Sequence, residues 1–228
     1  MTTRLTTGEG NEMMSQGKRA LVVWGGMELH TPERGAHVVR DLLEAEGFAV
    51  TVTPDYDALG AEDVGLNDLV VPVITDGTLE PAKMKNLVTA IQAGTGLAGY
   101  HMGLATSFRA SVPFRYAASC YWVSHPGNIL TYRVDVSDSS DPIMAGIESF
   151  EHTSEQYYLN YDPAVKVLAT TVFSGVDAWR KGVVMPVVFT TDHGKGRVFY
   201  SSLGHTADEL AIPQVRTILQ RGLLWAAR

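Results

Sequence analysis

The residue pattern with the clearest chemical meaning is G-Y-H-M-G at residues 99–103, which places His101 midway between two glycines. It follows an apolar run and precedes a stretch with helical character. It therefore predicts a nucleophile elbow, a sharp strand-to-helix turn that lifts its central side chain above the sheet. Imidazole can act as a general base, an electrophile or a metal ligand at neutral pH, but it replaces an attacking thiolate poorly. The competing interpretation is a tight turn with an incidental histidine.

The one cysteine of the chain is not predicted to be a nucleophile. Cys120 is the single cysteine, which excludes an internal disulfide and a C-x-x-C site. It lacks flanking elbow glycines, and we predict it to be a small buried apolar residue. His37 and His193 are predicted to be surface residues, whereas His152 is left unassigned.

Four further residues could join His101 in one site. His30 follows the first apolar run and His205 follows the last, and the carboxyl ends of parallel strands share one rim of a sheet. The sequence does not place His125 and Glu155. We predict that His101 shares a cleft with at least two of these four. Candidate ligands for Zn, Mn or Fe are the four histidines His30, His101, His125 and His205. Without a metal, Glu155 or His205 could equally be the acid–base partner of His101.

Five motifs together resemble the ThuA-like (trehalose-utilisation) family. They are G-x-H at 99–101, YWVSHP at 121–126, SEQYY at 154–158, GRVFY…LGH at 196–205 and GLLWA at 222–226. The resemblance covers residues 19–228. It implies a flavodoxin-like fold of the class I glutamine-amidotransferase type and a link to sugar metabolism. With histidine at the nucleophile position, we expect no glutaminase activity.

One position departs from the family pattern, and the resemblance also suggests a role for three aromatic residues. Ser154 stands where the family often has Asp before the glutamate, so a two-carboxylate role at that spot is not expected. The resemblance implies a small sugar or sugar derivative as the ligand. Tyr100, Trp122 and Tyr157 flank the candidate residues and are predicted to contact it, because aromatic faces stack on sugar rings; the alternative is an ordinary core role.

Alternating strands and helices must position these residues. Apolar runs that predict strands occupy residues 20–24, 49–53, 69–74 and 96–100. Thr31 and Pro32 predict a helix start, with Thr31 as the N-cap, and Gly47 predicts its end. A second helix is predicted at 81–93. Strands separated by helices imply a mostly parallel α/β sheet with helices on both faces.

The second half of the chain has a different pattern. Strand-like runs at 187–190 and 198–201 flank a turn at 192–196, which predicts a β-hairpin, and residues 213–227 predict an amphipathic helix. We predict a flexible tail at residues 1–18 and a single domain at 19–228.

Composition restricts the class of partner. The net charge is −7, with 45% hydrophobic and 19% charged residues, which is typical of a soluble protein and disfavours nucleic-acid or anionic-membrane binding. No apolar run approaches the roughly 20 residues that cross a bilayer. The polar start lacks the apolar core of a signal peptide, so we expect a cytoplasmic protein. No G-x-G-x-x-G follows the first strand, so no nucleotide is predicted. The sequence leaves a homo-oligomer open.

Three functions remain open at this stage. The first is metal-assisted chemistry on a sugar or its keto derivative. The second is a metal-free enzyme that uses His101 as its acid–base group. The third is a non-catalytic module that kept an amidotransferase-like scaffold after losing the nucleophile.

Overall fold

A nine-stranded sheet forms the centre of the protein. The computed structural model describes residues 17–228, without the side chain of Ala178, so nearly all of the predicted tail at 1–18 lies outside the described residues. The strands are β1 Arg19–Gly25, β2 Ala49–Thr53, β3 Leu69–Ile74, β4 Gly96–Tyr100, β5 Cys120–Ser124, β6 Ile129–Val136, β7 Phe150–Glu155, β8 Tyr158–Tyr161, β9 Lys166–Val172, β10 Val184–His193 and β11 Gly196–Ser201. The α-helices are α1 Pro32–Glu44, α2 Pro81–Ala93, α3 Met102–Ala105, α4 Val112–Ala118 and α5 Pro213–Ala226.

The sheet is parallel in one half and antiparallel in the other. Strands β5 and β8 form a separate two-stranded antiparallel sheet, and the order of the other nine strands is β2-β1-β3-β4-β11-β10-β9-β6-β7. The four pairings from β2 to β11 are parallel, and the four from β11 to β7 are antiparallel. This confirms the α/β class, the four predicted strands and the hairpin, which is β10 and β11. The sheet as a whole is mixed.

Helices cover both faces of the sheet, as predicted. Helices α1 and α5 pack with one face in a continuous apolar cluster, and α2 and α4 pack with the other. Strand β3, with the sequence LVVPVI, is buried along its whole length, as expected of a strand covered on both sides. None of the described helices is long and apolar enough to cross a membrane.

The start of α1 differs from the prediction in its capping. Pro32 is the first helical residue, and Thr31 precedes it with φ 48° and ψ 51°. The Thr31 hydroxyl does not cap the helix. It accepts a hydrogen bond from the backbone N–H of Ala207 at 2.8 Å instead. The helix ends at Glu44, and Gly47 completes the turn that follows with φ 83°.

The surface assignment of His193 was wrong. This residue ends β10 and is buried, with its Nε2 3.3 Å from Nε2 of Gln92 and its ring edge-on to Tyr116. Burial lowers the pKa of His193. The hairpin turn folds back against α2, which encloses the side chain that a freestanding turn would expose. Cys120 is buried as predicted, and burial raises the pKa of its thiol.

Candidate active site

The tight turn predicted at residues 99–103 is present directly after β4. His101 occupies it with φ 47° and ψ −113°, a conformation that costs about 1–3 kcal/mol in a residue with a side chain. Two contacts from β11 hold the turn: the N–H of His101 donates to the carbonyl of Ser201 at 2.7 Å, and the hydroxyl of Tyr200 donates to the carbonyl of His101 at 2.9 Å. The neighbouring central strand thus fixes the backbone of His101 on both sides.

Both glycines of the elbow are required by close packing. A Cβ at Gly103 would lie 2.2 Å from the carbonyl oxygen of Pro72, and one at Gly99 would lie 2.5 Å from the side chain of Leu104. The helix expected after the elbow is a single broken turn, because Leu104 has φ 73°.

Glu155, at the end of β7, lies at the centre of a group of imidazoles. Its Oε2 is 3.1 Å from Nε2 of His101. Its Oε1 is 3.6 Å from Nε2 of His125 and 3.8 Å from Nε2 of His205. The ring of His30 has its centroid 5.2 Å from those of both His101 and His205. The structure therefore brings His101 together with all four residues proposed to join it.

Several nitrogen atoms in this group have no hydrogen-bond partner among the described residues. They are Nε2 of His101, Nε2 of His205 and Nδ1 of His125, all buried. The contact of His101 with Glu155 is short but poorly directed for a hydrogen bond. Nδ1 of His30, in contrast, has a hydrogen-bond partner, the Oγ1 of Thr75 at 2.7 Å. A buried polar atom without a hydrogen-bond partner destabilises the folded state by about 1–3 kcal/mol, so three such nitrogen atoms in one place require an explanation.

Burial favours the neutral form of His30 and His101, and the carboxylate of Glu155 is ionised at neutral pH. Burial, together with the nearby rings of His101 and His205, lowers the pKa of His30 to about 4. Burial also lowers the pKa of His101, against the opposing effect of Glu155. Burial alone would raise the pKa of Glu155, but His101, His205 and His125 outweigh it and lower that pKa to about 2. Neutral imidazole and ionised carboxylate are the forms that bind metals.

Three residues have the geometry of a cation site. One donor atom each from His30, Glu155 and His205 lie within 4.8 Å of one another, and all three residues are buried. His101 and His125, which the sequence also suggested as ligands, are not part of this set, and Glu155 is its third member. Two imidazoles and one carboxylate with open positions are typical of non-haem iron sites and also suit Zn or Mn.

Four members of the group, His30, His125, Glu155 and His205, line a cleft of about 440 Å³, whereas His101 is not among its lining residues. Trp122 and Tyr157 line this cleft, as does Arg109, whose guanidinium is 4.8 Å from the Trp122 ring and forms an ion pair with Asp76. His101 lies behind Tyr157, whose hydroxyl is 3.1 Å from Nδ1 of His101. Burial raises the pKa of Tyr157 well above its ordinary value, so its phenol stays protonated.

Tyr100 does not reach the cleft, and its predicted contact with substrate is corrected. Its ring is 2% exposed within the core beside α1 and α5. It fills space left by Gly35, since a Cβ there would lie 2.2 Å from the Tyr100 hydroxyl. Successive strand residues point to opposite faces, so a tyrosine directly before an elbow histidine faces away from it.

A larger hollow of about 680 Å³ lies between α2 and α4, but neither imidazole nor carboxylate is among the residues that line it. Its walls are mostly apolar, formed by side chains such as Met84, Val88 and Phe108. The smaller cleft carries the reactive groups and is therefore the candidate active site.

Sequence reasoning missed Glu209. Its carboxylate accepts hydrogen bonds from the hydroxyl of Ser154 at 3.0 and 2.9 Å and from the N–H of His205 at 3.0 Å, and it lies 3.4 Å from Nε2 of His152. Burial would raise the pKa of Glu209, but His152, Ser154 and the His205 N–H outweigh it and lower that pKa. The sequence signal was slight: Glu209 lies four residues beyond His205. The carboxylate of Glu209 therefore lies beside Ser154, where the family often has Asp, but Glu209 belongs to a distant segment of the chain.

Comparisons with known proteins agree with this architecture. The family model described as ThuA, trehalose utilisation, matches residues 19–226. A ThuA-like protein from Parabacteroides merdae ATCC 43184 superimposes with a TM-score of 0.73 at 19% identity, over 93% of this chain and 90% of that one. A ThuA-like protein from Bacteroides uniformis ATCC 8492 gives 0.71 at 15% identity, over 96% and 94%. A cytoplasmic protein from Salmonella typhimurium LT2 gives 0.63 at 13% identity, over 92% and 100%. No curated protein matches the chain. The fold is the class I glutamine-amidotransferase-like fold expected from the motifs.

Proposed function

The chain belongs to the trehalose-utilisation (ThuA) family, and we propose that it is an enzyme that acts on a sugar or a keto-sugar in the histidine-lined cleft, with a divalent cation held by His30, Glu155 and His205. The family description supports the substrate class, and the donor set supports the cation. The single buried thiol suits a reducing compartment, so we place the enzyme in the cytoplasm.

The close approach of one buried donor atom each from His30, Glu155 and His205 carries this proposal. Nε2 of His205 faces Glu155 with no hydrogen bond. Nδ1 of His30 contacts the hydroxyl of Thr75, and the tautomer with the proton on Nδ1 would leave the lone pair of Nε2 available to a cation. Such a second contact is what orients a metal-bound imidazole. A cation bound there would polarise a carbonyl or hydroxyl oxygen of the substrate.

The chain's own residues supply the remaining functions of such a site. Tyr157 and His101 form a hydrogen-bonded pair that leads from the cleft wall to Glu155, a path along which a proton can be held or passed. Trp122 offers a ring face at the side of the cleft, and the Arg109–Asp76 ion pair offers both donors and acceptors for sugar hydroxyls.

A metal-free enzyme is the second candidate, and one observation favours it. His101 is hydrogen-bonded to Tyr157 and lies beside Glu155, and burial lowers its pKa, so it would be a neutral base without any cation. Sensitivity to a chelator separates the two candidates.

The test combines metal content with turnover. The purified protein should retain Zn, Mn or Fe by elemental analysis, and His205→Ala and Glu155→Gln should lose it. His193→Ala is the matched control, because His193 is as buried as His205 but lies outside the cleft. Trehalose and its keto derivative are then incubated with the protein, with and without EDTA, and the products are followed by NMR. Turnover that EDTA abolishes supports the metal-assisted enzyme, and turnover that resists EDTA supports the metal-free one. A protein that retains no metal and neither binds nor converts these sugars would be the non-catalytic module.

A further inference from the structure

Glu209 connects the segments that carry the proposed cation ligands, although it is not itself one of them. It begins a short 3₁₀-helix, Glu209–Ala211, just after the His205 loop, and its side chain is only 16% exposed. One of its carboxylate oxygens accepts the backbone N–H of His205, and both accept the hydroxyl of Ser154. The loop that carries His205 is thereby tied to the strand that carries Glu155.

This tie acts where the sheet itself gives little support. Among the strands that the structure describes, β7 is the edge of the nine-stranded sheet and pairs only with β6. Ser154 and Glu155 are consecutive in this strand, so their side chains point to opposite faces. The Glu209 contact therefore restrains the strand from the face opposite the Glu155 carboxylate and fixes it without entering the cleft.

The third ligand segment is tied to the same loop. The N–H of Ala207, between His205 and Glu209, donates to the hydroxyl of Thr31 at 2.8 Å. Thr31 directly follows His30. A single loop, residues 205–209, thus holds the three chain segments from which the cation ligands extend.

We infer that Glu209 is a positioning residue: it sets the separation of His205 from Glu155, and through it the affinity of the site for a cation, without touching cation or substrate. This inference rests on the proposed function. Partners that orient metal ligands typically contribute about 10–100-fold to metal affinity, and this defines the expected effect.

The test is calorimetric titration of the metal-stripped full-length protein with Zn²⁺. Glu209→Ala should bind Zn²⁺ about 10–100-fold more weakly than the unsubstituted protein. Glu209→Gln, which keeps one acceptor oxygen, should lie between the two. Ser154→Ala should weaken binding less than Glu209→Ala, because the bond to the His205 N–H survives.

Asp141→Ala is the matched control for general destabilisation. Asp141 is also a buried carboxylate that accepts a backbone N–H, that of Ile143, and it pairs with Lys166 far from the cleft. It should lower the melting temperature and leave Zn²⁺ affinity unchanged. Unchanged affinity in Glu209→Ala, or an equal loss in Asp141→Ala, would overturn the inference.

A second measurement distinguishes this inference from the proposed function. If the unsubstituted protein binds no Zn²⁺, the cation part of the proposed function fails, and the positioning role is then read from crystal structures. Glu209→Ala should move the His205 ring relative to Glu155 by more than roughly 0.5 Å, the tolerance of a working site. An unmoved ring would refute the positioning role by itself.

Discussion

Acid should destabilise the metal-free protein, and His30 should account for a definable part of the effect. Its pKa falls from 6.5 to about 4 on folding, so the folded state resists a proton that the unfolded chain accepts. The stabilisation is complete above pH 6.5 and is lost as the pH falls toward 4. Linkage gives a loss of about 2.5 kcal/mol in the free energy of unfolding between about pH 7.5 and about pH 4.5. Because the ring borders a water-accessible cleft, screening should reduce the measured value to about 1.5 kcal/mol.

The assay is urea unfolding in EDTA at these two pH values, for the unsubstituted protein and for His30→Asn. Asparagine keeps a polar atom near the position of Nδ1, so the contact with Thr75 can persist. The difference in the free energy of unfolding between the two proteins should shrink by about 1.5 kcal/mol on acidification. Only the unsubstituted protein has the His30 imidazole, which acid protonates more readily in the unfolded chain than in the folded state. Glu155 and other acid-titrating groups remain in both proteins and largely cancel. Parallel losses of stability in the two proteins would refute the reasoning.

Two further predictions concern the elbow and the thiol. Gly103→Ala should destabilise the protein by about 3 kcal/mol or more, seen as a lower melting temperature, because its Cβ would meet the backbone oxygen of Pro72 at 2.2 Å. Gly65→Ala, whose Cβ would make an ordinary contact at 3.7 Å, is the control and should melt close to the unsubstituted protein. Cys120→Ala should leave Zn²⁺ binding and any turnover of sugar unchanged, because the thiol is buried in β5 outside the cleft; a large loss of turnover would restore a cysteine mechanism.

The sequence predicted the parallel half of the fold well because its signals are local. Each strand from β1 to β4 is a short apolar run followed by a turn or helix signal, and the crossover rule then places their carboxyl ends on one rim. His30 and His101 could be assigned to that rim for this reason. The direction of Tyr100 also follows from strand alternation, which the prediction of substrate contact had overlooked.

The rest of the site depends on contacts between distant segments. Glu155 reaches the cleft because β7 pairs antiparallel with β6 at the far edge of the sheet, and no local pattern reveals which edge a strand will join. Glu209 and His152 meet across 57 positions of sequence, and the hairpin that ends in His193 folds against α2. In each case tertiary packing decides whether a polar residue is buried, and the residue type alone does not.

The position of β11 in the sheet has a consequence for the synthesis of the protein. This strand is the last in the chain, yet it lies between β4 and β10 near the middle of the sheet. Until residues 196–201 emerge from the ribosome, β4 presents an unpaired edge, and the backbone of His101 lacks both of its hydrogen bonds to β11. Unpaired strand edges are templates for association with other chains. The edge of β4 therefore stays unpaired from its own synthesis until that of β11, and the turn at His101 gains its two hydrogen bonds only when the final strand joins the sheet.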